Sequence, residues 1–327
     1  MRVDRILAFL LLAAPATALE LPDPAALLVA AFTAPAKGYT AHGRIQSFAP
    51  GRKPKALGMT VYYLPDGRLR REVRAHAGAE PEQVFIDDGT RQRLYWPKLG
   101  TLWTGRSADD DAASRAARLR ALYAVSVSTG GRVAGRATWR LNLTAPDGGL
   151  RRALWVARDG GLLLKCEEYR LDGTLLRRER LTALVELNPD PALFRLEVPP
   201  GTPEAPMTAP RGAAEPGAVS PRWIPDGFLA LESRVEKSGG GRVSAVGYGD
   251  GVETFTIRQN LDTEEPGGGE RSGRPVLLMD GRRAFLSSGR DGPVLAFRSG
   301  QSSFSITGEI TEDEMVRVAD SFAAARP

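Results

Sequence analysis

The side chains able to do chemistry are few and widely spaced in this chain of 327 residues. The histidines are His42 and His76, and neither has a Cys, His, Asp or Glu at metal-ligand spacing, so no zinc site is expected. A nucleophilic triad needs one of them beside a serine and a carboxylate, and no serine sits in the glycine pattern of a nucleophile elbow. Glu167 and Glu168 are adjacent on a strand pattern and project to opposite faces, which prevents joint action on one bond and suits a solvated edge. Cys166, the single cysteine, has the parity of Leu162 and Leu164 and reads as a small buried hydrophobe, and one cysteine excludes an internal disulfide. The runs Gly239-Gly240-Gly241 and Gly267-Gly268-Gly269 fall between strands rather than at strand-to-helix turns, so they do not cradle phosphate. The expectation is a protein that is not an enzyme and carries no cofactor and no metal.

Aspartates recur before glycine at Asp66, Asp88, Asp147, Asp159, Asp172, Asp226, Asp250, Asp280 and Asp291. Calcium binding is one use of such residues, but no loop has the alternating acidic ligands and terminal glutamate of an EF-hand. The pattern is that of tight turns, in which glycine supplies positive φ and aspartate hydrogen-bonds its own backbone.

Binding is better served than catalysis. Trp96, Trp103, Trp139 and Trp155 all lie on expected strands. A concave sheet face lined by these rings is a place for an acyl chain or an apolar peptide, and ordinary core is the alternative for each of them. Trp223 reads as a wedge at the entry to a second domain. The net charge of +5 rests mostly on arginine, scattered along the chain, which accommodates acidic ligands, anionic lipid or the codon bias of a GC-rich genome. No nucleic-acid partner is expected.

The elements that must position these residues are mostly strands. Alternation at Trp139, Leu141, Leu143 and Ala145 marks a half-buried strand. Turns at Asp147-Gly148, Asp159-Gly160 and Asp172-Gly173 then carry a meander through Leu154-Trp155-Val156, Leu162–Tyr169 and Leu175–Leu187. Upstream, Asp23 caps a helix with Pro24 in its first turn, and strands are expected at 43–48, 57–64, 68–74, 83–86, 93–96 and 101–104. A second helix follows with Ser107 as cap and Asp109 to Asp111 in its first turn. After a Pro-, Ala- and Gly-rich stretch, a second strand set leads to a helix opened by a Thr311–Glu314 capping box.

Met1–Ala18 has the basic start, short apolar run and small-residue cleavage site of a secretory signal. The expected organisation is a signal peptide at 1–18, a large domain at 19–201, a linker at 202–220 and a small domain at 221–327. The product is exported and soluble after cleavage.

The meander closing on Leu193-Phe194-Arg195-Leu196 and Val198-Pro199-Pro200-Gly201, followed by Pro221–Phe228 opening a small strand-rich domain with a terminal helix, resembles the MucB/RseB family of periplasmic sigma-factor regulatory proteins. The resemblance spans nearly all of the chain after residue 18. It implies an α+β, mainly antiparallel fold whose large domain is similar to lipoprotein carriers, with an unclosed barrel around an apolar cavity. It further implies binding to the periplasmic part of a membrane-spanning anti-sigma factor, protection of that factor from proteolysis, and release by a lipid-type envelope-stress signal. A periplasmic lipid or lipoprotein carrier is the alternative function.

Overall fold

The protein is described by a computed structural model covering residues 20–107, 111–207, 218–238, 241–262, 273–289, 292–300 and 302–322. The expected signal peptide and much of the expected linker lie outside these residues.

Helix α1 (Pro24–Phe32) begins where expected. Asp23 accepts the Ala26 N–H at 2.9 Å, Pro24 occupies the first turn, and Leu27 and Leu28 are buried. Six strands follow: β1 (Tyr39–Ser47), β2 (Lys55–Tyr63), β3 (Leu69–Arg74), β4 (Pro81–Asp87), β5 (Arg91–Trp96) and β6 (Thr101–Arg106). Helix α2 (Ala112–Leu122) starts later than expected, because Asp111 rather than Ser107 caps it, taking the Ser114 N–H at 2.7 Å. Ser107 instead donates its hydroxyl to Asp87 at 2.7 Å.

The chain then enters β7 (Ala124–Val133), a strand the sequence reading does not assign although Val125 and Val127 alternate with serines. The meander continues as β8 (Arg136–Thr144), β9 (Leu150–Ala157), β10 (Leu163–Tyr169) and β11 (Leu175–Val185), and β12 (Glu204–Pro206) ends the set. These strands form one sheet in the order β12-β6-β5-β4-β3-β2-β1-β11-β10-β9-β8-β7. All neighbours are antiparallel except β12 and β6. No ladder joins β7 to β12 among the described residues, so the barrel is unclosed, and α1 and α2 pack together over β7, β8 and β9.

The second sheet holds β13 (Leu229–Ser238), β14 (Gly241–Gly249), β15 (Thr254–Asn260), β16 (Arg274–Leu277), β17 (Arg283–Gly289), β18 (Gly292–Ser299) and β19 (Ser302–Gly308), in the order β13-β14-β15-β19-β18-β17-β16. Helix α3 (Glu312–Asp320) has the expected capping box. The Glu314 N–H reaches Thr311 Oγ1 at 3.2 Å, and the Thr311 N–H reaches Glu314 Oε2 at 2.8 Å. Its Met315, Val318 and Ala319 join Phe255, Phe297, Phe304 and Phe322 in the core of this unit.

Polar anchors, among them those of Arg151 and Arg170, and an apolar plug join the sheets. The turn between β14 and β15 inserts Val252 among Leu27, Leu119 and Leu141 of the large unit. Arg151, whose side chain is 2% exposed, donates Nε to Glu253 Oε1 at 2.7 Å. At the second anchor Arg170 reaches Glu309 at 3.0 Å. Glycine is required beside this seam: a Cβ on Gly227 would come within 2.4 Å of a Leu122 methyl, and its φ of +81° already disfavours other residues. All nine glycines of the Asp-Gly pairs have positive φ, as expected of turns, and those at Gly227 and Gly251 shape the contact between sheets.

Candidate binding site

Directly opposed residues on neighbouring strands project from the same face. One row runs Ala41–Val61–Arg71–Phe85–Leu94–Trp103 from β1 to β6. A second runs Leu141–Leu154–Cys166–Glu179–Ile45 from β8 to β1. Both rows belong to the face that α1 covers. Between them, under Ala31 and Phe32, is a chamber of about 410 Å³ walled by Tyr39, Met59, Val61, Tyr63 and Leu181. That is the size of a small-ligand pocket.

Curl makes the chamber. Strands β3 and β11 are three steps apart, about 14 Å on a flat sheet. Arg71 nevertheless meets Glu179 at 2.8 Å, and Arg177 donates to the same carboxylate. The register slip at His42/Gly43 lies under this bridge, where a Cβ on Gly43 would sit 2.6 Å from the Arg180 carbonyl oxygen. The lining is therefore mostly apolar, with the Arg71–Glu179 bridge and, besides it, Asp87, Lys165 and Arg180. Tyr63 adds a buried hydroxyl with no protein hydrogen-bond partner among the described residues.

The four tryptophans are not one wall. Trp103 and Trp96 share the chamber's face by register and meet edge to face at 5.9 Å, but they stand toward the far edge of the sheet. Trp139 also projects to that face, where it packs against the cluster built on α1 and α2, with the Arg158 guanidinium 3.9 Å from its ring centre. Trp155 is opposite Arg140 and Lys165, so it leaves the other face; it is 7% exposed, with Lys165 Nζ 3.5 Å from its ring centre. A single ring-lined face containing both Trp139 and Trp155 is excluded because the two are offset by one residue in register. None of the four lines the chamber itself.

Two other expectations need correction. Glu167 is not solvated: it is buried and accepts from Arg178 at 2.6 Å, Tyr169 at 2.6 Å and Lys165 at 2.9 Å. Burial alone would raise its pKa, but these donors outweigh that and hold it below the usual carboxylate value. A bulge between Leu163 and Lys165 separates Cys166 from Leu164, so the thiol packs with Leu163 beside the helices while Leu164 joins the Tyr39–Met59 cluster. Burial pushes the Cys166 thiol up to about 12.

His42 Nδ1 lies 3.3 Å from the Thr60 hydroxyl and His76 Nδ1 lies 3.0 Å from a backbone carbonyl. No group of three His, Cys, Asp or Glu side chains is placed for a metal among the described residues. No helix among them is long and apolar enough to cross a membrane.

Fold and chamber together define a mainly antiparallel α+β protein with an unclosed barrel over two helices and a smaller strand-rich unit. Among solved structures the chain is similar to MucB in complex with MucA(peri), at 21% identity over 93% of this chain and 100% of that one, with a TM-score of 0.58. It is similar to the Pseudomonas aeruginosa MucA/MucB complex at 22% identity over 94% and 100%, TM-score 0.57, and to MucB alone at 18% over 91% and 97%, TM-score 0.50. The fold is thus that of MucB along nearly the whole chain. No protein-family model and no curated protein sequence matches it.

Proposed function

We propose that this chain is an exported, periplasmic regulatory protein that engages the periplasmic part of a membrane-spanning anti-sigma factor and responds to a lipid-type envelope-stress signal. The observation that carries this reading is the match of both sheets, in one chain, to MucB solved with MucA(peri). The chamber supplies a place for the signal: an acyl chain would occupy the apolar wall under Phe32, with its polar end near Tyr63 and the Arg71–Glu179 bridge. Such a ligand releases a partner only if it binds more tightly to an arrangement that the partner disfavours. Trp96 and Trp103 extend the apolar surface beyond the chamber and, with Trp139 on the same face, belong to the proposed ligand-contacting set, while Trp155, buried on the other face, belongs to the core.

The apolar chamber also favours a second reading, a lipid or lipoprotein carrier. Titration of the purified chain with the periplasmic part of the anti-sigma factor from its own genome, with and without a fluorescent fatty acid, separates the two. Regulation is supported by partner binding that weakens as the fatty acid saturates, and a carrier by fatty-acid binding with no partner affinity. Neither event in a folded protein would overturn both. Mass determination of the secreted product checks export, with a chain beginning near Leu19 expected.

A further inference from the structure

At one end of the large sheet the outer backbone edge of β6 is closed, among the described residues, by the chain's own three-residue β12. The Leu102 N–H donates to the Pro203 carbonyl at 2.9 Å, the Met207 N–H donates to the Thr104 carbonyl at 2.7 Å, and the Thr104 hydroxyl donates to Glu204 at 2.7 Å. Met207 lies over Gly105, where an added Cβ would be 3.0 Å from Met207 Cβ, so the missing side chain makes the notch that Met207 fills. Among the described residues the ladder covers Leu102, Trp103 and Thr104, and Thr101, Gly105 and Arg106 have no ladder partner on that side. Pro206 has no N–H to contribute.

We propose that the outer edge of β6 is a strand-addition site for an extended peptide of another protein, held closed by Pro203–Met207 until that peptide displaces it. The resident segment is the template for the ligand: parallel to β6, acidic where Glu204 meets the Thr104 hydroxyl, and slim and apolar three residues later where Met207 enters the Gly105 notch. Charge agrees, since Arg91 and Arg106 face each other at one end of the β5–β6 hairpin and both are exposed. So does the apolar surface beside it, where Trp96 is 40% and Leu99 57% exposed.

A peptide without proline that pairs along all of Thr101–Arg106 makes about twice the ladder bonds of the resident segment, whose advantage is a tethered concentration on the order of millimolar. A short strand that permanently blunts the edge is the competing account. The inference does not depend on the anti-sigma reading.

The probe is a fluorescein-labelled peptide copying Gly201–Met207 with Pro203→Val and Pro206→Val. Two full-length variants are compared with the natural chain. Met207→Pro removes the N–H and side chain that hold the segment, and Thr104→Cys/Pro206→Cys, at directly opposed positions, locks it when oxidised. Fluorescence anisotropy is expected to show at least tenfold tighter probe binding to Met207→Pro than to the natural chain. The oxidised double-cysteine protein is expected to show none, with binding restored by reduction. Equal affinity for the oxidised and reduced forms would overturn the proposal, as would a Met207→Pro protein that melts normally yet binds no more tightly than the natural chain. If Met207→Pro fails to fold, the oxidised-against-reduced comparison decides alone.

Discussion

Tyr123, the residue that ends α2, donates its hydroxyl to Asp250 of the small unit at 2.5 Å, and Glu253 Oε2 lies 2.9 Å from the same oxygen. Asp250 also takes the Val252 and Glu253 N–H groups at 2.7 and 2.8 Å, so the turn that carries Val252 into the large core is itself fixed by this carboxylate. Burial, and then the bond to Asp250, push the Tyr123 hydroxyl well above its ordinary pKa, which keeps it a donor at every physiological pH. Helix α2 packs on α1, whose Ala31 and Phe32 roof the chamber, so the seam and the chamber share one pair of helices.

Tyr123→Phe removes the hydroxyl from beside Asp250 and Glu253, while Asp250 keeps the Val252 and Glu253 N–H groups and Glu253 keeps Arg151. A loss of about 1.5–3 kcal/mol in unfolding free energy is expected, the net contribution of a hydrogen bond to a charged group. Urea denaturation checks it. An unchanged midpoint would mean that the seam contributes nothing to stability.

Limited proteolysis is expected to cut first between Met207 and Val219, in the proline- and alanine-rich stretch that separates the two sheets in sequence. Because Val252, Arg151 and Arg170 hold the sheets together, the two fragments are expected to co-elute in size-exclusion chromatography and to separate only in denaturant. First cleavage within β8–β11 would contradict the division.

Replacement by alanine is expected to sort the tryptophans. Trp155, buried between cations, should cost about 3–5 kcal/mol, the range for a large buried aromatic. Trp96→Ala should change stability by roughly 0.5 kcal/mol or less, as for other exposed positions, and is the cleaner probe of ligand contact. Thermal melts and fatty-acid titration of each variant separate core from contact.

Glu72 and Glu253 respond to acid with opposite signs. Burial raises the Glu72 pKa, but hydrogen bonds from Arg74 and Arg70 overcome it and the folded value lies below the ordinary 4.5. Its contribution is present above the unfolded value and is lost as pH falls through the folded one. For Glu253 burial outweighs its bonds to Tyr123 and Arg151, and the folded value lies above 4.5. Its contribution is present below 4.5 and is lost as pH rises through the folded value. In urea melts from pH 7 to pH 3, Glu72→Gln should therefore lose its penalty toward acid. Glu253→Gln, which cannot take up a proton, should stand at a growing disadvantage to the natural chain on acidification. The same slope for both would contradict the assignment.

Cys166 is expected to resist alkylation. With its thiol pushed up to about 12, the thiolate fraction at pH 8 is small, and reaction with iodoacetamide should be far slower in the native protein than in guanidinium. Mass spectrometry over a time course reads the two rates.

Local order was legible in the sequence wherever one residue's chemistry decides it. Asp23 and Pro24 start α1, Thr311 and Glu314 start α3, and the Asp-Gly pairs turn the chain because each of these choices is made within three or four residues. Strand alternation likewise located most of both sheets, and the MucB-like order of elements was readable from their sequence alone. The limits came where spacing stops being period two. The bulge at Leu163/Lys165 reassigns Cys166, and the one-residue offset between Trp139 and Trp155 sends two rings that look equivalent in sequence to opposite faces. Only tertiary structure could bring Arg71 to Glu179 across three strand steps, or Tyr123 to Asp250 across 127 positions. Those contacts depend on sheet curl and on the docking of one core against another, and both are sums over many residues that no local pattern records.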